Sequence, residues 1–429
     1  MKIQNFDELA TTDARRALLT IAEAGYEAID TEAVLKRVMH VDGSTLTLAD
    51  QKIDLSVVGK LIFIGIGKCA AKAGAVAEDI LGNRIAAGVV VDVAACPEFA
   101  HIKTFCGTHP LPSDENMHAA EAIVAVLGGL TEKDLVIFVI SGGGSTLLFL
   151  PEDKASHEEI SIMTALIDAG ATIQEINVIR KHLSSARGGN LAKAAYPARV
   201  MSLIFSDVVG DDLSSIASGP TVKDTTTMDD AARVLAKFNV LQACNLEKCG
   251  LMETPKEDKY FEKVINRLVV SNRHALEGMK AAAERLGFLT EIRGTELVGE
   301  ADDVGRIIAD SVRAAPPRTA LLWAGETTVT VRDPAGRGGR NLEVCASALR
   351  FVEAGEEILS FASDGRDHGV FAGAIGDTIT KKAAVDAGVD PEMFRAKNDT
   401  YALFEKIGNY VITGDTGSNV SDLIIGLKY

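Results

Sequence analysis

Apolar residues along the chain recur at two different spacings, and the change between them predicts where helices give way to strands. Over residues 7–40 the apolar positions lie three and four apart, which indicates helix. After Gly43, short apolar runs ending in Gly, Ser, Thr or Asp alternate with Ala-rich amphipathic stretches, a pattern typical of βαβ units and a largely parallel sheet. The clearest predictions are strands at 60–66, 88–93, 134–140, 199–205, 319–324, 357–361 and 410–412, and helices at 70–81, 116–127, 157–169 and 275–286.

The length of the chain and one polar stretch predict two α/β domains. A chain of 429 residues exceeds the usual size of one domain. Residues 246–259 concentrate charged side chains and a proline between two periodic segments, as a linker does. We therefore predict domains at residues 1–255 and 256–429.

Composition and charge exclude several classes of function. Hydrophobic residues make up 47% and charged residues 24%, which is ordinary for a soluble globular protein. The net charge of −16 provides no electrostatic surface for nucleic acid or an anionic membrane. The most apolar stretch, residues 135–150, contains three glycines and is too short to span a bilayer. An anionic substrate would need positively charged side chains gathered at its binding site. We also expect the protein to be a monomer or a small homo-oligomer.

The cysteines and the N-terminus predict a cytoplasmic protein. The six cysteines are scattered without a C-x-x-C pair, so free thiols in a reducing compartment are expected. The first 19 residues carry charges and no apolar core, unlike a signal peptide.

A glycine motif after the first predicted long strand allows two interpretations. Gly65 and Gly67 precede a predicted helix, where the backbone can approach an anion closely. Gly65, Gly67 and Ala70 also match G-x-G-x-x-A, with Asp92 at the distance expected in a dinucleotide site. Lys68 argues against the dinucleotide, because the backbone alone usually holds the pyrophosphate there. Both interpretations remain open.

A second glycine loop follows the almost wholly apolar predicted strand at 134–140. Small residues of this kind expose backbone N–H groups that can surround a phosphate. The predicted phosphate-binding residues are Ser141, Gly142, Gly143, Gly144 and Ser145.

Basic residues form two candidate anion sites. Arg180 and Arg187 share one face of a predicted helix and either converge on an anion or pair with nearby carboxylates. His182 between them is expected to be structural. Arg337 and Arg340 are separated by glycines just before a helix, and arginine binds phosphate and carboxylate through two parallel hydrogen bonds.

Carboxylates at the ends of predicted strands are candidate magnesium ligands. Mg²⁺ favours one or two carboxylates plus phosphate oxygens. Asp207 follows the strand at 199–205, whereas Asp364 and Asp367 follow the strand at 357–361. Helix caps and turns are the alternative roles for such residues. Several phosphate sites with cations and carboxylates suit phosphoryl transfer. Hydride transfer would need one dinucleotide site and fewer arginines.

Nine motifs in one order resemble those of the class II glycerate kinases, the glycerate 2-kinase family whose C-terminal part is called the MOFRL domain. The resemblance extends from about residue 10 to residue 427. The motifs are GIGKCAA from Gly65, GTHPLP from Gly107, SGGGS from Ser141, RKHLS from Arg180, SDVVGDDL from Ser206 with SGPT from Ser218, GETT from Gly325, GRGGRN from Gly336, SDG from Ser363 and TGDTGSN from Thr413.

The resemblance implies ATP-dependent phosphorylation of D-glycerate at its 2-hydroxyl, with Mg²⁺, to give 2-phosphoglycerate and ADP. It also implies an α/β fold with a Rossmann-like N-terminal domain, a smaller α/β C-terminal domain and an active site in the cleft between them. The family's key lysine falls on Lys68 and its key arginine on Arg340, with Arg337 as the adjacent candidate.

The site hypothesis combines the motifs with this resemblance. Lys68 and Arg340 are assigned to catalysis, and Gly65, Gly67 and the loop from Ser141 to Ser145 to nucleotide phosphates. Substrate contacts are assigned to Arg337, Arg180, Glu326 and Asp367. Asp207 and Asp364 are assigned to magnesium, or else to orienting the attacking hydroxyl, with Asp367 in reserve.

Departures from the family pattern leave the acceptor open. The motif after Ser363 continues to His368-Gly369-Val370, Leu342 follows Asn341, and Asp415 stands where proline is common. A related sugar acid is therefore an alternative substrate. An NAD(P)-dependent hydroxypyruvate reductase and a non-enzymatic sugar-acid binding module are the other functions considered.

Overall fold

The chain forms two compact α/β units. A computed structural model describes residues 1–93, 97–151, 156–247, 249–367 and 369–429. One unit, the parallel-sheet unit, comprises Val34–Val269, and the other, the mixed-sheet unit, comprises Met1–Ala33 with Val270–Tyr429. The predicted α/β class with two domains is confirmed. Among the described residues, no helix has both the length and the apolar character needed to cross a bilayer.

The predicted helices and strands mostly appear, with shifts of a few residues at their ends. The helices are α1 (Phe6–Leu9), α2 (Asp13–Ala28), α3 (Thr31–Val38), α4 (Ala70–Leu81), α5 (Asp114–Leu127), α6 (Gly144–Leu147), α7 (Ser156–Asp168), α8 (Ile173–His182), α9 (Asn190–Ala195), α10 (Met228–Lys237), α11 (Val240–Ala243), α12 (Asn272–Arg285), α13 (Ala301–Ala314), α14 (Arg340–Ala348), α15 (Thr378–Asp386), α16 (Pro391–Arg395) and α17 (Thr400–Ile407). The strands are β1 (Met39–Asp42), β2 (Thr45–Leu48), β3 (Gln51–Asp54), β4 (Leu61–Ile66), β5 (Ile85–Asp92), β6 (Ile102–Cys106), β7 (Leu135–Ile140), β8 (Arg199–Phe205), β9 (Val264–Val270), β10 (Leu289–Leu297), β11 (Thr319–Gly325), β12 (Glu356–Ala362), β13 (Gly373–Gly376), β14 (Tyr410–Val411) and β15 (Asp422–Lys428).

The parallel-sheet unit is built on a sheet of order β6-β5-β4-β7-β8-β9, beside a small antiparallel sheet of β1, β2 and β3. The pairings from β6 through β8 are parallel. Every residue of β4 and β7 is buried, which explains their continuous apolar sequences. The loops that leave the carboxyl ends of these strands therefore meet at one edge of the sheet.

The mixed-sheet unit differs from the largely parallel pattern that the sequence predicts. Its sheet has the order β10-β11-β15-β12-β13-β14, and only the β10–β11 pair is parallel. The final strand, β15, lies between β11 and β12 and runs antiparallel to both. A central strand from the end of the chain cannot be anticipated from a βαβ alternation.

The N-terminal residues belong with the C-terminal part of the chain. The helix predicted over residues 7–40 is divided into α1, α2 and α3, and β1 begins at Met39. The buried side chain of Arg15 in α2 pairs with buried Asp377 at 2.6 Å between Nε and Oδ2. This long-range ion pair helps to explain why the unit boundaries differ from the predicted division into residues 1–255 and 256–429.

The polar stretch predicted to be a linker packs inside the parallel-sheet unit. The amide of Met252 donates to the carbonyl of His182 at 2.9 Å. Buried Thr254 donates to Asp224 Oδ2 at 3.1 Å, and Lys256 Nζ donates to the carbonyl of Asp224 at 3.1 Å. The polar side chains here satisfy buried groups, and the whole stretch is part of this unit.

The prediction of free thiols is wrong for one cysteine. Cys106, the last residue of β6, is disulfide-bonded. Cys69, Cys244, Cys249 and Cys345 form no disulfide. Cys96 lies outside the described residues. Spacing along the chain does not reveal which cysteines a fold brings together.

Candidate functional site

The loop after β4 is held by hydrogen bonds within the protein. Five successive backbone N–H groups, from Gly67 to Ala71, all have acceptors. Those of Gly67 and Ala70 donate to the carbonyls of Val91 and Gly67. That of Lys68 donates to the Gly142 carbonyl, that of Cys69 to Ser141 Oγ, and that of Ala71 to Asp92 Oδ2. A phosphate approaching this loop would find these amides already occupied. The geometry therefore favours packing roles for Gly65 and Gly67 over the predicted contact with phosphate.

The same loop explains why glycine is needed there. Gly67 has φ of +110°, and a side chain on it would collide with Ser141. A Cβ on Gly65 would lie 2.9 Å from Val90 Cγ2 on the neighbouring strand. The glycines let the loop after β4 lie directly against the loop after β7.

Asp92 is not placed to bind a ribose. Its side chain is buried and accepts hydrogen bonds from the amides of Ala71 at 2.8 Å and Val93 at 2.6 Å. Both carboxylate oxygens are thus used to fix the first turn of α4 and the end of β5. This arrangement removes the residue on which the dinucleotide interpretation depends.

The glycine loop after β7, by contrast, presents open backbone groups. Gly144 donates to the carbonyl of Ser141, whereas the amides of Gly143 and Ser145 donate to no acceptor among the described residues. Gly143 is left-handed, with φ of +81°, and is the N-cap that precedes the short helix α6. Open amides in this conformation suit a phosphate group. Ser145 Oγ lies 2.9 Å from Ser218 Oγ, which fixes the far side of the loop.

The side chain of Lys68 lies over this loop next to His109. A Cβ on Gly143 would be 3.4 Å from Lys68 Cγ and 3.5 Å from His109 Cδ2. Lys68 is exposed and forms no ion pair with any described residue. The pKa of His109 is lowered from 6.5 by partial burial, then by the positive charges of Lys68 and Arg180. We call Lys68, His109 and Arg180 the lysine cluster. Lys68 and His109 come from two different loops, and Arg180 comes from α8.

Two members of this region were not predicted from the sequence. His109 appears only within the GTHPLP motif and was given no role. Buried Asn116 in α5 donates to the carbonyls of Thr108 and Thr146, both at 3.0 Å, and accepts from the Thr108 amide at 2.8 Å. Asn116 thereby joins the loop that carries His109 to helix α6. The signal in the sequence was a polar residue on the apolar face of a predicted helix.

The other basic residues of the α8 region are structural. Buried Arg187 pairs with Glu159 at 2.7 Å and donates to the carbonyl of Arg180, so it does not converge with Arg180 on an anion. Lys181 pairs with Asp224 at 3.2 Å. The ring of buried His182 lies 2.8 Å from the Met252 carbonyl, which confirms its structural role. Arg180 alone remains half-exposed, and its pKa is lowered by burial and by Arg187.

The carboxylate of Asp207 lies against the glycine loop. It follows β8, and its carboxylate lies so close to Gly142 that no side chain would fit there. One carboxylate beside open amides fits Mg²⁺, which keeps several water ligands and shares phosphate oxygens. Among the described residues, no group of three or more Asp, Glu, His or Cys side chains is arranged to hold a metal ion. Asp212 instead accepts from Ser214 and Ser215, as a turn cap does.

In the mixed-sheet unit, Arg340 is surrounded by carboxylates. Its Nε lies 3.0 Å from Asp422 Oδ2, and its Nη2 lies 3.5 Å from Glu326 Oε1. Burial raises the pKa of Asp422 to about 7, although Arg340 acts in the opposite direction. Asn341 donates to Asp422 Oδ1 at 2.9 Å. Asp422 was not singled out from the sequence because it begins a strand that the pattern did not reveal.

Asp367 caps the helix that carries Arg340. Its Oδ1 accepts from the amide and side chain of Asn341, both at 3.0 Å, and its Oδ2 accepts from the amide of Leu342 at 2.9 Å. Burial raises the pKa of Asp367. Because both oxygens serve α14, the structure favours a capping role over the predicted contact with substrate.

Arg337 and Asp364 occupy different surroundings from Arg340. The guanidinium of Arg337 lies over the ring of Tyr401 and 3.6 Å from Glu405 Oε2. Asp364 Oδ1 accepts from the amide of Arg366 at 3.0 Å, which is the turn geometry given as the alternative to metal binding. Of the two arginines in the motif, Arg340 is the one that joins the carboxylate group at the end of β11 and the start of β15.

The topology and these clusters define a two-unit α/β protein whose open amides and basic side chains suit an anionic ligand. One family model, described as a domain of unknown function (DUF4147), matches residues 17–248, and the MOFRL family model matches residues 319–422. The glycerate 2-kinase of Pyrococcus horikoshii is 37% identical over 96% of this chain and 96% of that protein. The chain belongs to the glycerate 2-kinase family, with a C-terminal MOFRL domain, which confirms the resemblance.

Two further comparisons extend this result. The crystal structure of glycerate kinase from Thermotoga maritima matches with a TM-score of 0.85 and 34% identity, covering 96% of this chain and 99% of that one. A relative from Agrobacterium vitis that carries a hydroxypyruvate reductase name is 36% identical over 85% of this chain and 86% of its own length. Glycerate kinase names and a hydroxypyruvate reductase name therefore both occur among the relatives. The geometry of the site is the evidence for choosing between the two activities.

Proposed function

We propose that this protein transfers the γ-phosphoryl group of ATP to the 2-hydroxyl of D-glycerate, which gives 2-phosphoglycerate and ADP. The observation that carries the proposal is the position of Lys68 against Gly143, in a loop where the amides of Gly143 and Ser145 have no acceptor among the described residues. An ammonium without an ion pair and N–H groups without an acceptor, as judged over the described residues, together suit a phosphate that gains charge as it is transferred.

Lys68 and Arg180 of the lysine cluster, the loop amides and Asp207 each have a defined part in this proposal. Lys68 neutralises negative charge on the oxygens of the transferring phosphoryl group, and the loop amides donate hydrogen bonds to phosphate oxygens. Arg180 adds positive charge at this site, whereas the chain as a whole carries a net charge of −16. Asp207 would hold Mg²⁺ together with phosphate oxygens. The ion, when bound, neutralises negative charge on the polyphosphate.

Arg340 is assigned to an anionic group of a reactant. Its guanidinium is half-exposed, with Asp422 and Glu326 holding it from within the mixed-sheet unit. Carboxylate partners fix the orientation of an arginine, and its remaining donors are then available to bind a carboxylate or phosphate through two hydrogen bonds.

The occupied loop after β4 supports the kinase over the reductase. A nicotinamide dinucleotide would need open amides at the start of α4 and a free carboxylate near the end of β5. The amides from Gly67 to Ala71 are occupied, and Asp92 is buried and fully engaged. We therefore expect Asp92→Asn to lower stability without creating or removing any use of NADH.

The proposal is tested by ³¹P NMR of the protein with Mg-ATP and D-glycerate. An NADH and hydroxypyruvate absorbance assay is run on the same preparation. A phosphomonoester signal that matches 2-phosphoglycerate, with NADH unchanged, is the expected result. A 3-phosphoglycerate signal would overturn the assigned hydroxyl but keep the kinase. Consumption of NADH without any new phosphorus signal would overturn the kinase proposal. A parallel series with related sugar acids determines which acceptor gives the highest kcat/KM.

A further inference from the structure

Phosphoryl transfer to an alcohol releases a proton, and the residues assigned so far leave that proton without an acceptor. Lys68 and Arg180 are cations, and Asp207 is assigned to Mg²⁺. Among the histidines of the parallel-sheet unit, His182 is buried and both ring nitrogens face partners, the Met252 carbonyl at 2.8 Å and Thr226 Oγ1 at 3.2 Å. His109 differs, because it is exposed and its ring forms no hydrogen bond with any described residue.

The position of His109 relates it directly to the phosphate loop. Its Cδ2 and the Cγ of Lys68 would lie 3.5 Å and 3.4 Å from a Cβ on Gly143, so the two side chains flank the same glycine. The loop that carries His109 is held by Asn116, whose side chain forms hydrogen bonds with both the amide and the carbonyl of Thr108. The backbone that carries His109 is thus held beside Lys68, the group assigned to the transferring phosphoryl, and the ring has no hydrogen-bond partner among the described residues.

Partial burial, and then the positive charges nearby, lower the pKa of His109 and favour the neutral form of its ring. Lys68, from the loop after β4, and Arg180, from α8, are the charged groups that act on it, and both lower its pKa in addition to partial burial. A neutral imidazole can accept a proton, whereas an imidazolium cannot. The same two cations that favour phosphate therefore also keep the histidine in the form needed for a base.

We infer that His109 is a further catalytic residue, the general base that takes the proton of the substrate hydroxyl as its oxygen attacks the γ-phosphorus. This inference rests on the proposed kinase activity. The bond between the hydroxyl oxygen and phosphorus forms, and the bond between phosphorus and the β–γ bridging oxygen breaks. ADP leaves with that electron pair, and the proton on the imidazole passes to water.

The test compares pH profiles of kcat for the wild type, His109→Gln and His109→Ala. In the wild type, kcat falls toward acid below the ordinary imidazole value of about 6.5, because protonation removes the base. We expect the two variants to lose about 100-fold or more in kcat. The acid limb that belongs to His109 disappears, and the KM for Mg-ATP changes little. Added imidazole restores part of the activity of His109→Ala.

A matched control and the contrary result keep the inference separate from the kinase proposal. His118→Gln changes an exposed histidine of α5, and we expect it to retain the wild-type profile. If both His109 variants keep the acid limb, or kcat within about threefold of wild type, His109 is not the base. Thermal unfolding of each variant identifies a misfolded one, and His109→Asn then replaces it. Failure of the kinase proposal is distinguishable, because the wild type would itself form no phosphomonoester.

Discussion

Lys68 owes its position to hydrogen bonds made by its own backbone and its neighbours. Its amide donates to the Gly142 carbonyl at 3.0 Å, which joins it to the phosphate loop, while its side chain extends over Gly143. We expect Lys68→Ala to lower kcat by about 100-fold or more, because a charge that stabilises the transition state is lost. Lys52→Ala, at an exposed lysine of β3, serves as the control. Initial rates that stay near wild type for Lys68→Ala would remove the central assignment.

The two arginines of the GRGGRN motif are expected to differ in function. Arg340 lies among Glu326 and Asp422, whereas Arg337 lies over Tyr401 and near Glu405. Replacing Arg340 with Ala should therefore reduce kcat/KM by about 100-fold, since a donor to an anionic reactant is removed. The same change at Arg337 should cost less than about tenfold, because a rim charge contributes little to binding. Steady-state kinetics of both variants decide the matter, and equal losses would contradict the assignment.

At the scale of elements, helix α14 depends on a cap from another part of the chain. Asp367 accepts three N–H groups from the first turn of α14, which begins at Arg340. We expect Asp367→Ala to reduce the free energy of unfolding by about 1–2 kcal/mol, as loss of a helix cap does. Because the helix start carries Arg340, kcat/KM should fall as well.

The control for this cap is Asp390, which accepts from the amide of Glu392 at the start of the short helix α16. Asp390→Ala should lower the thermal midpoint less and leave kcat/KM unchanged. Thermal unfolding and kinetics of the two variants are measured together. An unchanged thermal midpoint for Asp367→Ala would show that α14 does not need this cap.

At the scale of the whole molecule, two buried glutamates make stability depend on pH. Burial raises the pKa of Glu343 and of Glu357 to about 7 in each case. In the unfolded chain the pKa of glutamate is about 4.3, so between these values the folded state holds more protons than the unfolded state. Stability should therefore be greatest at the acidic end of this range and fall as pH rises toward 7 and above.

The measurement is the free energy of unfolding across this pH range for the wild type, Glu343→Gln and Glu357→Gln. Each variant keeps the shape of the side chain but cannot ionise. Each should flatten the decline and be more stable than wild type at pH above about 7, by on the order of 1 kcal/mol. Glu291→Gln on exposed β10 is the matched control. A decline as steep as that of the wild type in both variants would contradict the assignment.

Local pattern predicted part of the fold and of the candidate site, and the physical reasons are specific. Strand β8 and helix α4 have the predicted bounds, because a continuous apolar run and a regular amphipathic repeat are strong local signals. Strand β10 was missed, since its alternating residues are half-buried at a sheet edge. Lys68 and Arg340 were identified through motifs, whereas Asp422 was not, because its contacts with Arg340 and Asn341 join distant parts of the chain.

The sequence by itself determined the α/β class, the glycine loops at strand ends and the family, since each depends on local periodicity or on motifs in a fixed order. Only the tertiary structure decided which backbone N–H groups are open. The amides after β4 are occupied by Ser141, Gly142 and Asp92, and those of Gly143 and Ser145 find no acceptor among the described residues. Two glycine loops that look alike in sequence thereby acquire different roles. Acceptors from distant parts of the chain occupy the amides of one loop, whereas amides of the other loop stay open.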